Sequence, residues 1–424
     1  MTLTHGHIAI PHEVIKSSYW NDEHVVDSDF KADELGLYDP RSHYLPYPPE
    51  KVLTNFQSGH GFVKMSAAGT QADDTTDYVK GNQSLKLTTD GDGNWVFTRK
   101  SSIAPTIDLT GKYLKVWVKV SDMTNTSQLR FYVSSDDFAS AYYGWNIEDD
   151  INQIKGNVWI VLTLSFGKAV VTGAPNRAAI NAIQLRLTDK NGVSVSANFG
   201  GISAIDEPSE GVVSITFDDG WASQYDEARK KMDKYGFPGT CYIIPQHVGE
   251  ANYMTLTQLH KLQDLAGWSI STHASPDLSL LTYDEVESII LELKNYMLKN
   301  GFGKGADDFD YPMGAYNENI VIPLVRKYFR SARTVWIYPE TYPPADYHKL
   351  RVLLILNTTP VATIQGWIDN AITNKDWLIL VFHRIVAVPG VNTEYSIADF
   401  GTVIDYIATQ GVKVKTISDV LNGI

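Results

Sequence analysis

The sequence predicts a multidomain protein, with an N-terminal antiparallel β-sandwich of jelly-roll-like type over residues 51–208 and an α/β domain over residues 209–424. Three observations carry this reading. Between 51 and 208 apolar residues recur with a period of two, and no pattern of helix length intervenes. From 209 onward short apolar strands alternate with segments of helical period, which implies a parallel sheet, open or closed into a barrel, with both faces covered. Between the two, residues 207–211 read EPSEG, a short polar linker.

Residues 1–50 are rich in His, Tyr, Pro and Asp, with YDPRSHYLPYPPE as the extreme, and are expected to form an irregular arm. His5, His7 and His12 have no acidic or thiol partner at ligand spacing, so exposed polar side chains are expected there and not a metal site. In the sandwich, Leu114, Val116, Val118 and Val120 alternate with Lys115, Trp117 and Lys119. Leu129, Phe131 and Val133 alternate with Arg130 and Tyr132, Val158, Ile160, Leu162 and Leu164 with Trp159 and Thr163, and Ile183, Leu185 and Leu187 follow. Turns such as GDGN at 91–94 and KNG at 190–192 separate these strands. In the second domain, residues 222–235 place Tyr225, Ala228, Met232 and Tyr235 on one helical face and stop at Gly236. Thr282 and Glu285 form a capping box before Val286, Ile289, Ile290, Leu293 and Met297. Ser396 opens a helix carrying Phe400, Val403, Ile404 and Ile407. Strands are expected near 212, 240, 268, 308, 331, 351, 377 and 412.

A chain of 424 residues has room for two or three domains with real cores. Its formal charge of -13 and its lack of Lys/Arg clusters argue against nucleic acid as a partner, because phosphate binding needs basic patches. The single cysteine, Cys241, lies in an apolar strand, so an intrachain disulfide is ruled out and a buried thiol is expected. No apolar run reaches the roughly 18 residues of a membrane span. The start MTLTHGHIAIPHE lacks the basic and apolar regions of a signal peptide.

The stretch VVSITFDDG at 212–220 concentrates the chemistry. An apolar run ends in two adjacent carboxylates, Asp218 and Asp219, and then glycine. Buried carboxylates are expensive unless paired or metal-bound, so two at a strand end point to chemistry. His273 follows the strand near 268, and His383 ends the one near 377. Titratable residues therefore stand at three C-terminal strand ends, where α/β sheets and barrels place their sites.

These residues carry a resemblance. TFDDG at 216–220, STHASPDL at 271–278, FDYPMG at 309–314 and LILVFHRI at 378–385 resemble, in order, the motifs of the polysaccharide deacetylase family, whose catalytic domain is also called the NodB homology domain and is carbohydrate esterase family 4-like. The resemblance covers about half the chain. It implies a distorted (β/α) barrel with the site at the strand ends, and it gives residues 51–208 the character of an attached carbohydrate-binding sandwich. By position, Asp218 resembles the family's general base, Asp219 and His273 its metal ligands, and His383 the histidine that protonates the leaving group. The implied cofactor is a divalent cation, zinc in most of the family, beside a carboxylate that stays free to take a proton.

Two departures bear on the site. The family's second histidine, four residues after the first, is replaced here by Asp277, an acceptable zinc ligand; Ser275, water, or a site too weak to hold metal are the alternatives. In FDYPMG the family's arginine is replaced by Asp310 or Tyr311, and Arg333 on the next strand becomes a candidate for orienting Asp218, with a structural arginine as the other reading. The backbone at Met313 and Gly314 is the candidate oxyanion donor. Trp221, Trp336 and Tyr395, with Tyr338 and Tyr342, are candidates for the walls of a sugar cleft. In the sandwich, Trp95, Trp117 and Trp159 are platform candidates, and Tyr142, Tyr143 and Trp145, in an expected loop, are better ones.

The expected activity is metal-dependent removal of N- or O-linked acetyl groups from an acetylated polysaccharide, by an extracellular, cell-surface or virion-associated protein. A catalytically decayed glycan-binding or attachment protein is the alternative. A barrel cleaving another C–N bond is a third reading, which the aromatic sandwich disfavours.

Overall fold

The computed structural model describes residues 50–147 and 156–423. His5, His7 and His12 and the rest of residues 1–49 lie outside the described residues. Among the described residues twelve strands form the sandwich: β1 (Lys51–Thr54), β2 (Val63–Lys64), β3 (Thr70–Asp74), β4 (Ser84–Thr88), β5 (Trp95–Lys100), β6 (Lys112–Val120), β7 (Thr126–Ser134), β8 (Tyr142–Asn146), β9 (Ile160–Leu164), β10 (Val170–Thr172), β11 (Ala182–Asp189) and β12 (Ser196–Asp206). One sheet runs β3-β4-β12-β6-β9 with β1 also on β12, and the other runs β10-β8-β7-β11-β5-β2. All pairings are antiparallel. The alternation read from the sequence is the cause: Leu129, Phe131 and Val133 turn inward with Leu185, Leu187, Val116 and Val118, while Arg130, Tyr132, Gln184 and Arg186 turn out.

In the second domain, β13 (Val212–Asp219), β14 (Thr240–Ile243), β15 (Ser269–His273), β16 (Asp308–Asp310), β17 (Ser331–Ile337), β18 (Leu350–Leu354) and β19 (Trp377–Phe382) pair in parallel, and β14 returns to β13, so seven strands close a barrel. A short pair, β20 (Arg384–Val386) and β21 (Glu394–Ser396), follows β19. The strand near 412, β22 (Lys413–Val414), pairs with the base of β13 outside the ring. Burial on both faces explains why the barrel strands read as unbroken apolar runs; all six residues of β19 are buried.

Seven α-helices wrap this barrel: α1 (Arg229–Asp233), α2 (Leu256–Ala266), α3 (Tyr283–Lys299), α4 (Val321–Tyr328), α5 (Val361–Asn374), α6 (Ile397–Gln410) and α7 (Ile417–Leu421). Thr282 and Glu285 form the expected capping box of α3, and Thr255 with Gln258 form another on α2. The helix expected over 222–235 is split into a π-helical turn, Gln224–Ala228, and the short α1. The extra residue of the wider turn brings the Gln224 side chain onto two strand ends, as described below.

The sandwich meets the barrel at the end opposite the site. Asn374, Lys375 and Asp376 lead into the N-terminal end of β19. The Tyr113 hydroxyl donates to the Lys375 carbonyl (2.9 Å), Lys168 Nζ lies 3.2 Å from Asp376, and Lys375 Nζ lies 3.1 Å from Glu207. Burial pushes the Asp376 carboxyl up, with Lys168 pulling against it.

Candidate active site

β13 delivers Asp218 and Asp219 to the C-terminal rim of the barrel, with Asp218 buried and Asp219 half-buried. β15 delivers His273, and β17 delivers Arg333 from a fully buried position. Register does the assembly: His273 is opposite Asp310 on β16, and Asp310 is opposite Arg333 on β17.

A buried guanidinium needs anionic partners, and Arg333 has two. Its Nη2 lies 2.5 Å from Asp218 Oδ1 and 2.6 Å from Asp310 Oδ2, and the group sits 4.8 Å from the Tyr242 ring centre. Arg333 thus occupies the orienting position beside Asp218. Asp310, where the family has arginine, is the counter-carboxylate; burial pushes its carboxyl up, against the pull of Arg333. The other Asp218 oxygen lies 3.6 Å from His383 Nε2, and His383 Nδ1 is buried with no hydrogen-bond partner among the described residues.

His273 places Nδ1 2.8 Å from the Ala274 carbonyl, so Nδ1 carries a proton, and in the neutral ring the lone pair is on Nε2. That Nε2 is 3.3 Å from Asp219 Oδ1 at an angle that makes no hydrogen bond. Burial alone would raise the Asp219 carboxyl, but His273, His383 and the Trp221 indole hold it below the usual range. Burial likewise opposes charge on His273, and the carboxylates of Asp219, Asp310 and Asp218 outweigh it and raise its pKa. Two Lewis bases facing each other among three carboxylates fit a cation, and the Nδ1–carbonyl bond is the usual orientation of a ligating histidine.

Asp277 does not join this pair. Its Oδ1 accepts from the Ser279 amide (2.8 Å) and hydroxyl (2.7 Å), capping the turn Leu278–Leu280. Among the described residues no group of three or more His, Cys, Asp or Glu side chains is placed to hold a metal by itself. Ser275 is exposed on the same loop. In the turn after β16, the Gly314 amide donates to the Tyr311 carbonyl (2.8 Å) and is spent there. Met313, at φ 55°, leaves its own amide as the oxyanion candidate.

The aromatic candidates separate. Tyr395 is a core residue, packed on Phe382 with its hydroxyl donating to the Thr359 carbonyl, and does not wall a cleft. Trp336 is half-buried beside Tyr316. Tyr338 lies under Lys168 and Arg351, and Tyr342 packs on Trp377, both away from the rim. Trp221 borders the site and donates to Asp219 Oδ2. In the sandwich, residues 142–146 are strand β8 and not a loop. The period of two sends Trp145 into the core, with its indole on the Ser165 carbonyl, and packs Tyr143 on Phe166. Trp159 donates to Asp77, Trp117 is half-buried near Lys80, and Trp95 is exposed under Arg186.

One residue without a sequence signal completes the site. Gln224 Nε2 donates to the Asp218 carbonyl (2.6 Å) and the His383 carbonyl (3.1 Å), and its Oε1 accepts from Cys241 (3.2 Å). It therefore ties the ends of β13 and β19, the two strands that present the Asp218 and His383 pair.

Residues 206–328 match the family model for polysaccharide deacetylase. This part of the chain belongs to the polysaccharide deacetylase family. The poly-beta-1,6-N-acetyl-D-glucosamine N-deacetylase of Staphylococcus epidermidis is 26% identical over 171 residues, 37% of this chain and 58% of that protein. The enzyme of the same name from Staphylococcus aureus is 30% identical over 130 residues, 27% of this chain and 44% of its own. The chain thus spans about half the length of the curated relatives it matches. A family 11 carbohydrate-binding module from Clostridium thermocellum aligns at 12% identity with a TM-score of 0.30, over 38% of this chain and 97% of its own.

Proposed function

We propose that this protein is a metal-dependent deacetylase acting on an acetylated polysaccharide. The observation that carries the reading is the division of labour between adjacent carboxylates: Asp219 faces His273, while Asp218 faces His383 and is clamped by Arg333. Asp219 and His273 would hold a divalent cation such as zinc, which supplies Lewis acidity to water and to the acetyl carbonyl. Asp218 takes the proton of the attacking water, and its pairing with Arg333 fixes its direction. His383 carries a proton to the departing amine or alcohol. The Met313 amide donates to the carbonyl oxygen as negative charge develops on it.

The sandwich supports a polymeric substrate. On its outer sheet the Tyr132 ring lies against Gly144, where a Cβ would come within 2.8 Å of it, and Tyr142 packs edge-on at 5.7 Å. Phe138, under Arg99, extends the row. A ring lying on a sheet, as Tyr132 does over Gly144, presents a face that sugar CH groups pack against. Because the sandwich joins the barrel at the end away from the site, it would hold one segment of polymer while the barrel works on another. Such a substrate fits an extracellular, cell-surface or virion-associated setting. Among the described residues no helix is long and apolar enough to cross a membrane.

The test is acetate release from N-acetylated and O-acetylated glycans, poly-β-1,6-N-acetylglucosamine first, by chelator-treated protein with and without restored zinc. Release that depends on the metal supports the reading. A silent barrel in a chain that still binds glycan would establish the decayed glycan-binding protein instead.

A further inference from the structure

Asp219 ends β13 at φ 70°, a left-handed backbone that costs a non-glycine residue about 1–3 kcal/mol unless its surroundings enforce it. Its two oxygens are divided between partners. Oδ1 faces His273 Nε2 at 3.3 Å, and Oδ2 accepts from the Trp221 indole N–H at 2.8 Å. We propose that Trp221 is a positioning residue, whose N–H fixes the rotation of the Asp219 carboxylate so that one oxygen stays turned to His273 and this half of the cation site stands preassembled. The proposal rests on the deacetylase reading above.

The direction of that N–H is set by what holds the ring. Tyr253 stacks on Trp221 with ring centres 4.2 Å apart and planes at 21°, and His247 stacks on Tyr253 at 4.7 Å and 19°. The Arg384 guanidinium lies 4.9 Å from the Trp221 ring and is itself fixed by Glu394 at 2.6 Å. Main-chain bonds lock the same segments together: the Ala222 amide donates to the Asn252 carbonyl (2.8 Å), and the Met254 amide donates to the Gly220 carbonyl (2.9 Å). A ring engaged by a stacked tyrosine and a cation cannot swing its N–H away from Asp219 without breaking both contacts. Arg384 also follows His383 in the chain, so the column joins the Asp219 segment to the His383 segment. Trp221 is thereby a holder of the site and not a stacking platform for sugar.

The experiment is cobalt(II) binding to the full chain, followed by calorimetry and by the visible spectrum of the bound ion. Trp221→Phe keeps the ring and loses the N–H; Tyr253→Ala keeps the N–H and loosens the ring. Removal of a hydrogen bond to a ligating carboxylate weakens metal by about 10–100-fold. Trp221→Phe is expected to bind cobalt about tenfold or more weakly with an altered spectrum, while the unfolding midpoint of the metal-free protein stays at the wild-type value. Tyr253→Ala is expected to lose less affinity than Trp221→Phe. Wild-type affinity and spectrum in Trp221→Phe would overturn the proposal, as would a loss of affinity matched by an equal loss of metal-free stability. A wild-type chain that binds no cation would overturn the metal reading itself, a result distinct from parity between variant and wild type.

Discussion

Arg333 is the residue on which the site's electrostatics depend. It is fully buried and bridges Asp218 and Asp310, so its removal strands two carboxylates in a low-dielectric interior. Breaking such a network by deleting one partner costs about 3–5 kcal/mol. Arg333→Leu is therefore expected to lose about that much in urea unfolding and to lose acetate release, whereas Arg333→Leu combined with Asp310→Leu should recover part of the stability but not the rate. An Arg333→Leu protein of wild-type stability would refute the pairing. Asp277 has a smaller task. Its carboxylate caps a turn, so Asp277→Ala should cost about 1 kcal/mol and leave cation affinity unchanged; a large drop in affinity would place Asp277 among the ligands after all.

At the scale of elements, the segment leading into β18 meets the end of α4 through a buried histidine. His348 Nε2 lies 2.8 Å from the carbonyl of Phe329, at the end of α4, and burial, with the nearby Arg326 charge, pushes its pKa down to about 4. The folded value lies below the unfolded one of about 6.5, so between these values the unfolded chain binds the extra proton. The contribution of His348 is complete above pH 6.5 and is lost as pH falls towards 4, amounting to roughly 3 kcal/mol at about 1.4 kcal/mol per pKa unit. Urea midpoints at pH 7 and pH 4.5 should separate for the wild type and converge for His348→Asn; equal separation in both would contradict this. The elements themselves were legible where the side-chain period decides them: the sandwich strands, the capping box of α3 and the apolar barrel strands all follow from local pattern. The site was legible only in part. Asp218, Asp219, His273 and His383 stand at strand ends that the apolar runs announce. The role of Asp310 depends on the register of β16 with β17, and those of Gln224 and Tyr253 on a π turn and a loop crossing, none of which has a local signal. Tyr395 and Trp145 are buried against expectation, because an aromatic near a motif or among small residues looks exposed until the strand period turns it inward.

On the proposed reading, the whole molecule places polymer retention and bond cleavage at opposite ends of the barrel. The sandwich is fastened at the base of β19 by Tyr113, Lys168 and Glu207, and the reactive groups sit at the rim. Polymer retention and bond cleavage should then be separable in the intact chain. Tyr132→Ala with Tyr142→Ala is expected to weaken binding to insoluble glycan several-fold while leaving turnover of a soluble acetylated oligosaccharide unchanged; unaltered polymer binding would make the outer sheet purely structural. The central claim is that two neighbouring carboxylates on one strand end serve different partners, Asp219 the cation and Asp218 the proton. Its most direct test measures bound zinc and acetate release together for Asp218→Asn and Asp219→Asn. The account predicts that Asp218→Asn keeps its zinc and releases no acetate, while Asp219→Asn loses both. Full activity in Asp218→Asn, or wild-type zinc content in Asp219→Asn, would contradict it.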